Sequence, residues 1–124
     1  MPGKITYGSS PDRPLSPAVR AGDFVYVSGQ VPTDASGSLV TGSVEAQTRQ
    51  VLENIKAALA LAGASLDQVV KTNCILEDAR DFAAFNKAYA AYFPKEPPAR
   101  TTIEARLMAD IKVEIDAIAY APKS

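Results

Sequence analysis

Two short segments hold the residues most suited to chemistry: Pro98-Ala99-Arg100-Thr101-Thr102 and Val113-Glu114-Ile115-Asp116. They set one arginine, Arg100, and one carboxylate of interest, Glu114 (with Asp116 the second acid of its segment), among small and apolar neighbours. The guanidinium can hold a small carboxylate through two parallel hydrogen bonds, and a glutamate can orient or deprotonate water. Neither task needs a metal. The rest of the chain removes most other catalytic kits, because it has no histidine and a single cysteine, Cys74. Ser-His and Cys-His dyads are excluded, as are the usual zinc and transition-metal sites.

Each residue also has an ordinary structural use. A lone strand arginine is commonly a surface or ion-paired residue, and Glu114 could serve as a cross-strand partner of Arg106 or Lys112. Cys74 sits among apolar neighbours with no basic group to activate it, so an inert buried thiol is expected.

The elements that position these residues follow from periodicity. Three prolines between Pro11 and Pro17 predict an irregular, extended N-terminal approach. Phe24-Val25-Tyr26-Val27-Ser28, bounded by Gly22-Asp23 and Gly29, reads as a buried strand. Thr33 to Gly42 reads as a surface loop, and Ser43 as the N-cap of a helix. In that helix Val44, Thr48, Val51, Leu52, Ile55, Leu59 and Ala62 recur at helical spacing until Gly63.

Gln68 to Leu76 reads as a second strand, and Asp78 as the cap of a second helix. That helix carries an aromatic stripe, Phe82, Phe85, Tyr89, Tyr92 and Phe93, expected to be core and to stop at Pro94. Arg100 to Leu107 and Ile111 to Ala119 both alternate as strands do. The predicted order is strand, helix, strand, helix, strand, strand: one α+β domain over residues 1–124.

Two helices cover one face of such a sheet, and the apolar sets of the last two strands are expected beneath them. This reasoning places Thr101, Ile103, Ala105 and Leu107 under the helices, with Arg100, Thr102 and Glu114 on the other face. Ser28, Ile118 and Tyr120 are further candidates for that open face. A surface so mixed suits a subunit interface and predicts a homo-oligomer. A hairpin through Met108-Ala109-Asp110 would set Glu114 opposite Glu104 or Arg106.

Composition limits the partners. The 124 residues carry a net charge of −1 with a pI near 5.4, which gives no electrostatic reason to expect nucleic acid or anionic lipid. No run approaches the ~18 apolar residues of a membrane span, and no signal-peptide core follows the N-terminus. With one cysteine and no internal disulfide possible, a cytoplasmic protein is expected.

The sequence also resembles the RidA (YjgF) family of reactive-intermediate deaminases. The resemblance is carried by Pro98-Ala99-Arg100-Thr101, by Lys112-Val113-Glu114-Ile115-Asp116-Ala117-Ile118-Ala119 and by Tyr26-Val27-Ser28-Gly29-Gln30. It extends through Asn54-Ile55, Ala62-Gly63, Val69-Val70-Lys71, Asp81-Phe82, Asn86, Tyr89 and Phe93.

The resemblance implies a chorismate-mutase-like fold: a mixed β-sheet with two helices on one face, assembled as a homotrimer with clefts between subunits. It implies hydrolysis of 2-imino and 2-enamino acids, such as 2-aminoacrylate, to 2-oxo acids and ammonia, with no cofactor. The small-molecule partner is then a 2-imino or 2-oxo acid. Arg100 corresponds to the carboxylate anchor and Glu114 to the water-positioning glutamate. Ser28, Gly29, Asn86 and Thr102 correspond to cleft positions.

Two positions depart from the pattern. Ala18 stands where archetypal members carry a tyrosine that closes over the ligand, and Met108-Ala109 replaces a leucine-proline turn. A non-catalytic carboxylate-binding regulator is therefore an alternative. The ribonuclease or translation-inhibitor role attributed to some relatives is disfavoured by the acidic pI, the lack of histidine and the lack of an aromatic-basic surface.

Overall fold

The computed structural model describes residues 3–123, so Met1, Pro2 and Ser124 of the expected domain lie outside it. Six strands form one sheet: β1 (Ile5–Tyr7), β2 (Ala18–Ala21), β3 (Phe24–Gln30), β4 (Val69–Leu76), β5 (Ala99–Glu104) and β6 (Val113–Tyr120). Two helices join them, α1 (Val44–Leu61) and α2 (Phe82–Tyr92). The sheet order is β1-β2-β3-β6-β4-β5. All pairings are antiparallel except β4 with β5, which run parallel through the α2 crossover. The α+β, two-helix expectation holds.

Local signals set the helix ends. Ser43 caps α1, its hydroxyl accepting from the Ala46 amide at 3.2 Å, and Gly63 leaves the helix with a φ of 75° that only glycine adopts at little cost. Asp78 caps a 3-10 turn, Ala79–Asp81, that leads directly into α2. Val51, Leu52, Ile55 and Leu59 of α1 are fully buried against the sheet, as is Phe85 of α2. On the sheet side the core is Val25 and Val27 of β3, Cys74 and Leu76 of β4, and Val113, Ile115, Ala117 and Ala119 of β6.

The structure departs from expectation in three places. The first is an omission: β1 and β2 are unforeseen short strands on either side of the proline-rich approach, which is itself irregular from Pro11 to Pro17 as expected. Their residues carry little strand signal; pairing creates them, β2 on β3 with Ala18 opposite Val27 and β1 on β2 with Tyr7 opposite Ala18. The second is the hairpin between the last two strands, which does not form. β4 inserts between β5 and β6, so Glu114 pairs with Ile75, not with Glu104 or Arg106. The connection instead brackets the end of β4: Ala105 donates to the Leu76 carbonyl, Glu77 donates to the Lys112 carbonyl, and Leu107 donates to the Glu77 carboxylate at 3.1 Å. Those bonds end β5 at Glu104 and leave Met108 92% exposed.

The third is the facing of β5. Thr72 and Cys74 are buried under the helices, and their partners across the parallel ladder are Arg100 and Thr102. Side chains opposite one another on adjacent strands share a face, so Arg100 and Thr102 point toward α2, whereas Thr101 and Ile103 occupy the open face. The expected phase is inverted. Arg100 is stable there because its flat, weakly hydrated guanidinium lies on aromatic rings.

Candidate functional site

Arg100 stands on the edge strand, half-buried against the exposed end of the α2 aromatic stripe. Its guanidinium carbon lies 4.9 Å from the Tyr89 ring centroid, 5.4 Å from Phe85 and 5.6 Å from Phe82. Cation-π attraction over three rings holds the charge in place. Among the described residues the Arg100 side chain makes no hydrogen bond and no ion pair; Arg80 with Asp78 is the one salt bridge found. The donors of the fork are therefore uncommitted.

Beside it opens a pocket of about 310 Å³ lined by Asn86, Tyr89, Ala90, Phe93, Pro97, Pro98 and Arg100. All peptide bonds in the described chain are trans, including those before Pro97 and Pro98, and Glu96 ahead of them takes a φ of 43°. Asn86 Oδ1 and Thr102 Oγ1 are buried without a hydrogen-bond partner. Buried polar atoms are normally satisfied; Asn86 lines the Arg100 pocket, whereas Thr102 lines an adjoining recess with Leu76, Ala79, Phe82, Ile103 and Glu104.

Cys74, behind Thr102, meets the expectation of an inert thiol. Burial pushes its pKa up to about 11, and its Sγ donates weakly to Thr72 Oγ1 at 3.8 Å.

Glu114 is elsewhere. Its parity along β6 is opposite to the buried Val113 and Ile115, so it projects from the open face. Arg100 aligns with Thr72 and Glu114 with Ile75 of the strand between them. Three residues along and two strands across give a Cα separation of ~14 Å, with the side chains on opposite faces of the sheet. The pair expected on one face is divided by it.

The Glu114 carboxylate has a shaped seat. The pairing of β3 with β6 slips between Val27 and Gln30, a bulge that places an extra residue of β3 against Asp116. At that bulge the carboxylate folds over Gly29, where an added Cβ would collide with it. Partial burial, and secondarily the charge of Asp116, raise the Glu114 pKa above the ordinary glutamate value. Asp116 itself accepts from Asn73 Nδ2 at 2.9 Å.

Ser28, also at the bulge, is used locally: its hydroxyl donates to the Ser16 carbonyl and its amide donates to the Pro17 carbonyl at 3.0 Å. These bonds tie the proline-rich approach to the bulge. Ala18, next in that approach, is fully buried opposite Val27.

The six sequence candidates thus form two groups. Arg100, Asn86 and Thr102 gather at the α2–β5 edge; Glu114, Gly29 and Ser28 gather at the β3–β6 bulge. Periodicity assigned Phe82, Phe85 and Tyr89 to the core alone, but together they seat Arg100. Their helical spacing was visible in the sequence; that an arginine from β5 would lie over them was not.

The open face, which carries Glu114, also carries Phe24, Tyr26, Ile103 and Tyr120, each at least 39% exposed. No helix among the described residues is long and apolar enough to cross a membrane.

A mixed sheet backed by two helices, with an arginine-centred pocket at its edge, defines a small α+β protein with a ligand-sized recess. Residues 8–121 match the family model described as Endoribonuclease L-PSP. A RutC family protein of Pyrococcus horikoshii is 49% identical over 112 residues, 89% of each chain. The 2-iminobutanoate/2-iminopropanoate deaminase of Salmonella typhimurium is 43% identical over 86% of each chain. The structure of YyfA of Yersinia pestis, a protein of the conserved Rid family, superposes with a TM-score of 0.90 at 36% identity, covering 96% of this chain and all of that one. The chain belongs to the Rid (YjgF/RidA) family.

Proposed function

We propose that this protein is a cytoplasmic imine deaminase that hydrolyses 2-imino and 2-enamino acids to 2-oxo acids and ammonia, in clefts between the subunits of a homotrimer. The observation that carries this reading is the division of the site. Arg100 is seated and unpaired on one face, while Glu114 is shaped and partly desolvated on the other. A neighbouring copy can bring its Glu114 to the Arg100 pocket, and the exposed aromatic and aliphatic side chains among the polar ones of the open face supply a surface for that contact.

In this mechanism Arg100 grips the substrate carboxylate through two charge-assisted hydrogen bonds. An enamine takes a proton at carbon to become the imine. Glu114 of the adjacent copy, a stronger base than an ordinary glutamate, takes a proton from water as its oxygen bonds to the imine carbon. That proton passes to nitrogen to give the carbinolamine; Glu114 then takes the hydroxyl proton and delivers it to the same nitrogen as the C–N bond breaks, so ammonia leaves and the carbonyl forms. Asn86 and Thr102 line the substrate, and Ser28 and Gly29 hold the glutamate side of the cleft. The deaminase relative supports the reaction class.

One observation favours a second reading, a carboxylate-binding regulator without turnover. Ala18 is both small and fully buried, so the lid tyrosine of archetypal members has no counterpart and no space. Binding of 2-oxo acids with no hydrolysis across a panel of imines would select it. The family model's endoribonuclease description is set against a chain with no histidine and a net charge of −1.

The test uses 2-aminoacrylate generated in place by a dehydratase, with appearance of the 2-oxo acid as the readout. Wild type accelerates it over buffer, and Arg100→Ala and Glu114→Gln each lose at least ~100-fold. Reassembling these two variants from an equal mixture returns about a quarter of wild-type activity if each site takes Arg100 and Glu114 from different chains. No acceleration by wild type removes the deaminase reading; no recovery on mixing removes the shared site.

A further inference from the structure

The strand position that places Arg100 also holds the ring beneath it. Thr72 is the register partner of Arg100 across the β4–β5 ladder. Its hydroxyl, fully buried, is hydrogen-bonded to the Tyr89 hydroxyl at 2.7 Å. The Tyr89 ring is the nearest of the three under the guanidinium, at 4.9 Å. Backbone pairing, hydroxyl bond and ring contact close a loop of three residues. The ring is further fixed by its neighbours on α2, with Phe85 at 5.5 Å and Phe93 at 4.8 Å between centroids, both tilted.

Such a loop has a specific chemical consequence. An arginine held by a carboxylate is well placed but has already given its paired donors away. One left in water keeps its donors but loses side-chain entropy on binding, at a cost of ~0.5–1.5 kcal/mol for an immobilised long side chain. An aromatic seat avoids both, because a ring face attracts the charge without accepting the N–H bonds at the rim of the fork.

We propose that Tyr89, anchored by Thr72, is the positioning residue of the site: it presents Arg100 pre-ordered and unneutralised to an incoming carboxylate. This rests on the reading of Arg100 as the carboxylate anchor and adds what makes that anchor effective. Tyr89 acts through Arg100, so its removal weakens ligand capture more than it slows the chemical step.

The experiment compares Tyr89→Phe, Tyr89→Leu and Thr72→Val with wild type by titration with 2-oxobutanoate, by KM and kcat, and by NMR of the Arg100 side chain. Ring currents displace the Arg100 Cδ protons upfield in wild type. Tyr89→Leu relaxes that shift, weakens 2-oxobutanoate binding at least ~10-fold and raises KM by a similar factor, with kcat within ~3-fold. Tyr89→Phe keeps the ring and restores most of the shift and the affinity. Thr72→Val keeps the core volume and folds even where Tyr89→Leu does not; it moves the shift and the affinity in the same direction by a smaller factor.

Unchanged affinity in a folded Tyr89→Leu, or in Thr72→Val, overturns the proposal. So does a loss confined to kcat, or a Tyr89→Phe no better than Tyr89→Leu. Failure of the anchor reading is distinguishable: wild type would then bind no 2-oxo acid while the Arg100 ring-current shift and its dependence on Tyr89 remain.

Discussion

Replacing Gly29 by alanine separates the catalytic use of Glu114 from its structural use. The Gly29 backbone lies outside the positive-φ region, so alanine brings no conformational strain there. Its Cβ, however, would stand 3.4 Å from Glu114 Cγ, 3.1 Å from Cδ, and closer to Oε2 than two real heavy atoms approach. Ordinary contact at Cγ means the glutamate stem stays. The tight contact at Cδ requires a few tenths of an ångström, and the carboxylate must swing by ~1 Å. A displacement of that size at a group that positions the attacking water costs ~100-fold in rate. The carboxylate is the partly exposed end of a flexible side chain, so the stability change stays within ~1 kcal/mol.

Gly29→Ala is therefore expected to retain its denaturation midpoint and its affinity for 2-oxobutanoate, while its rate on 2-aminoacrylate falls toward that of Glu114→Gln. A variant as fast as wild type would refute Glu114 as the water-positioning group seated at the bulge. One destabilised by more than ~2 kcal/mol would show that the glutamate cannot yield, and would refute the packing argument instead.

Two further outcomes follow from the same geometry. The Glu114 pKa is raised by burial, so its base form is lost at a higher pH than for an exposed glutamate; the rate should climb with pH through a value above 4.5, and Glu114→Gln should lack that limb. The sign for stability is opposite: the folded chain favours the protonated acid, so the Glu114 contribution, read as wild type against Glu114→Gln in denaturant, is full at low pH and declines as pH rises through the raised value. Arg20 is 4% exposed and donates to the carbonyls of Ala121 at 2.7 Å, Ala62 at 3.0 Å and Gly22 at 3.2 Å, tying the end of α1 to the end of β6. Arg20→Met should cost about 2–4 kcal/mol in denaturant unfolding without changing KM of the folded fraction, and equal stability would mean that guanidinium desolvation cancels the three bonds.

The amino-acid sequence alone determined what short-range physics controls. Ser43 and Gly63 bound α1, Pro94 stops α2, and alternation marks the later strands, because capping, ring constraints and the two-residue pleat act within a few residues. It also supplied the chemical types, one arginine and one buried-strand glutamate in a chain without histidine, and with them the family. Tertiary structure decided where those types go. Alternation states which residues share a side of a strand but not which side is covered, and in β5 either set was eligible. The rings of α2 made the choice by accepting Arg100. The insertion of β4 between β5 and β6 then fixed the distance to Glu114, and the pairing of β2 with β3 and of β1 with β2 added two strands on either side of a proline-rich stretch that stays irregular. Those outcomes depend on contacts between distant parts of the chain, which local sequence does not encode.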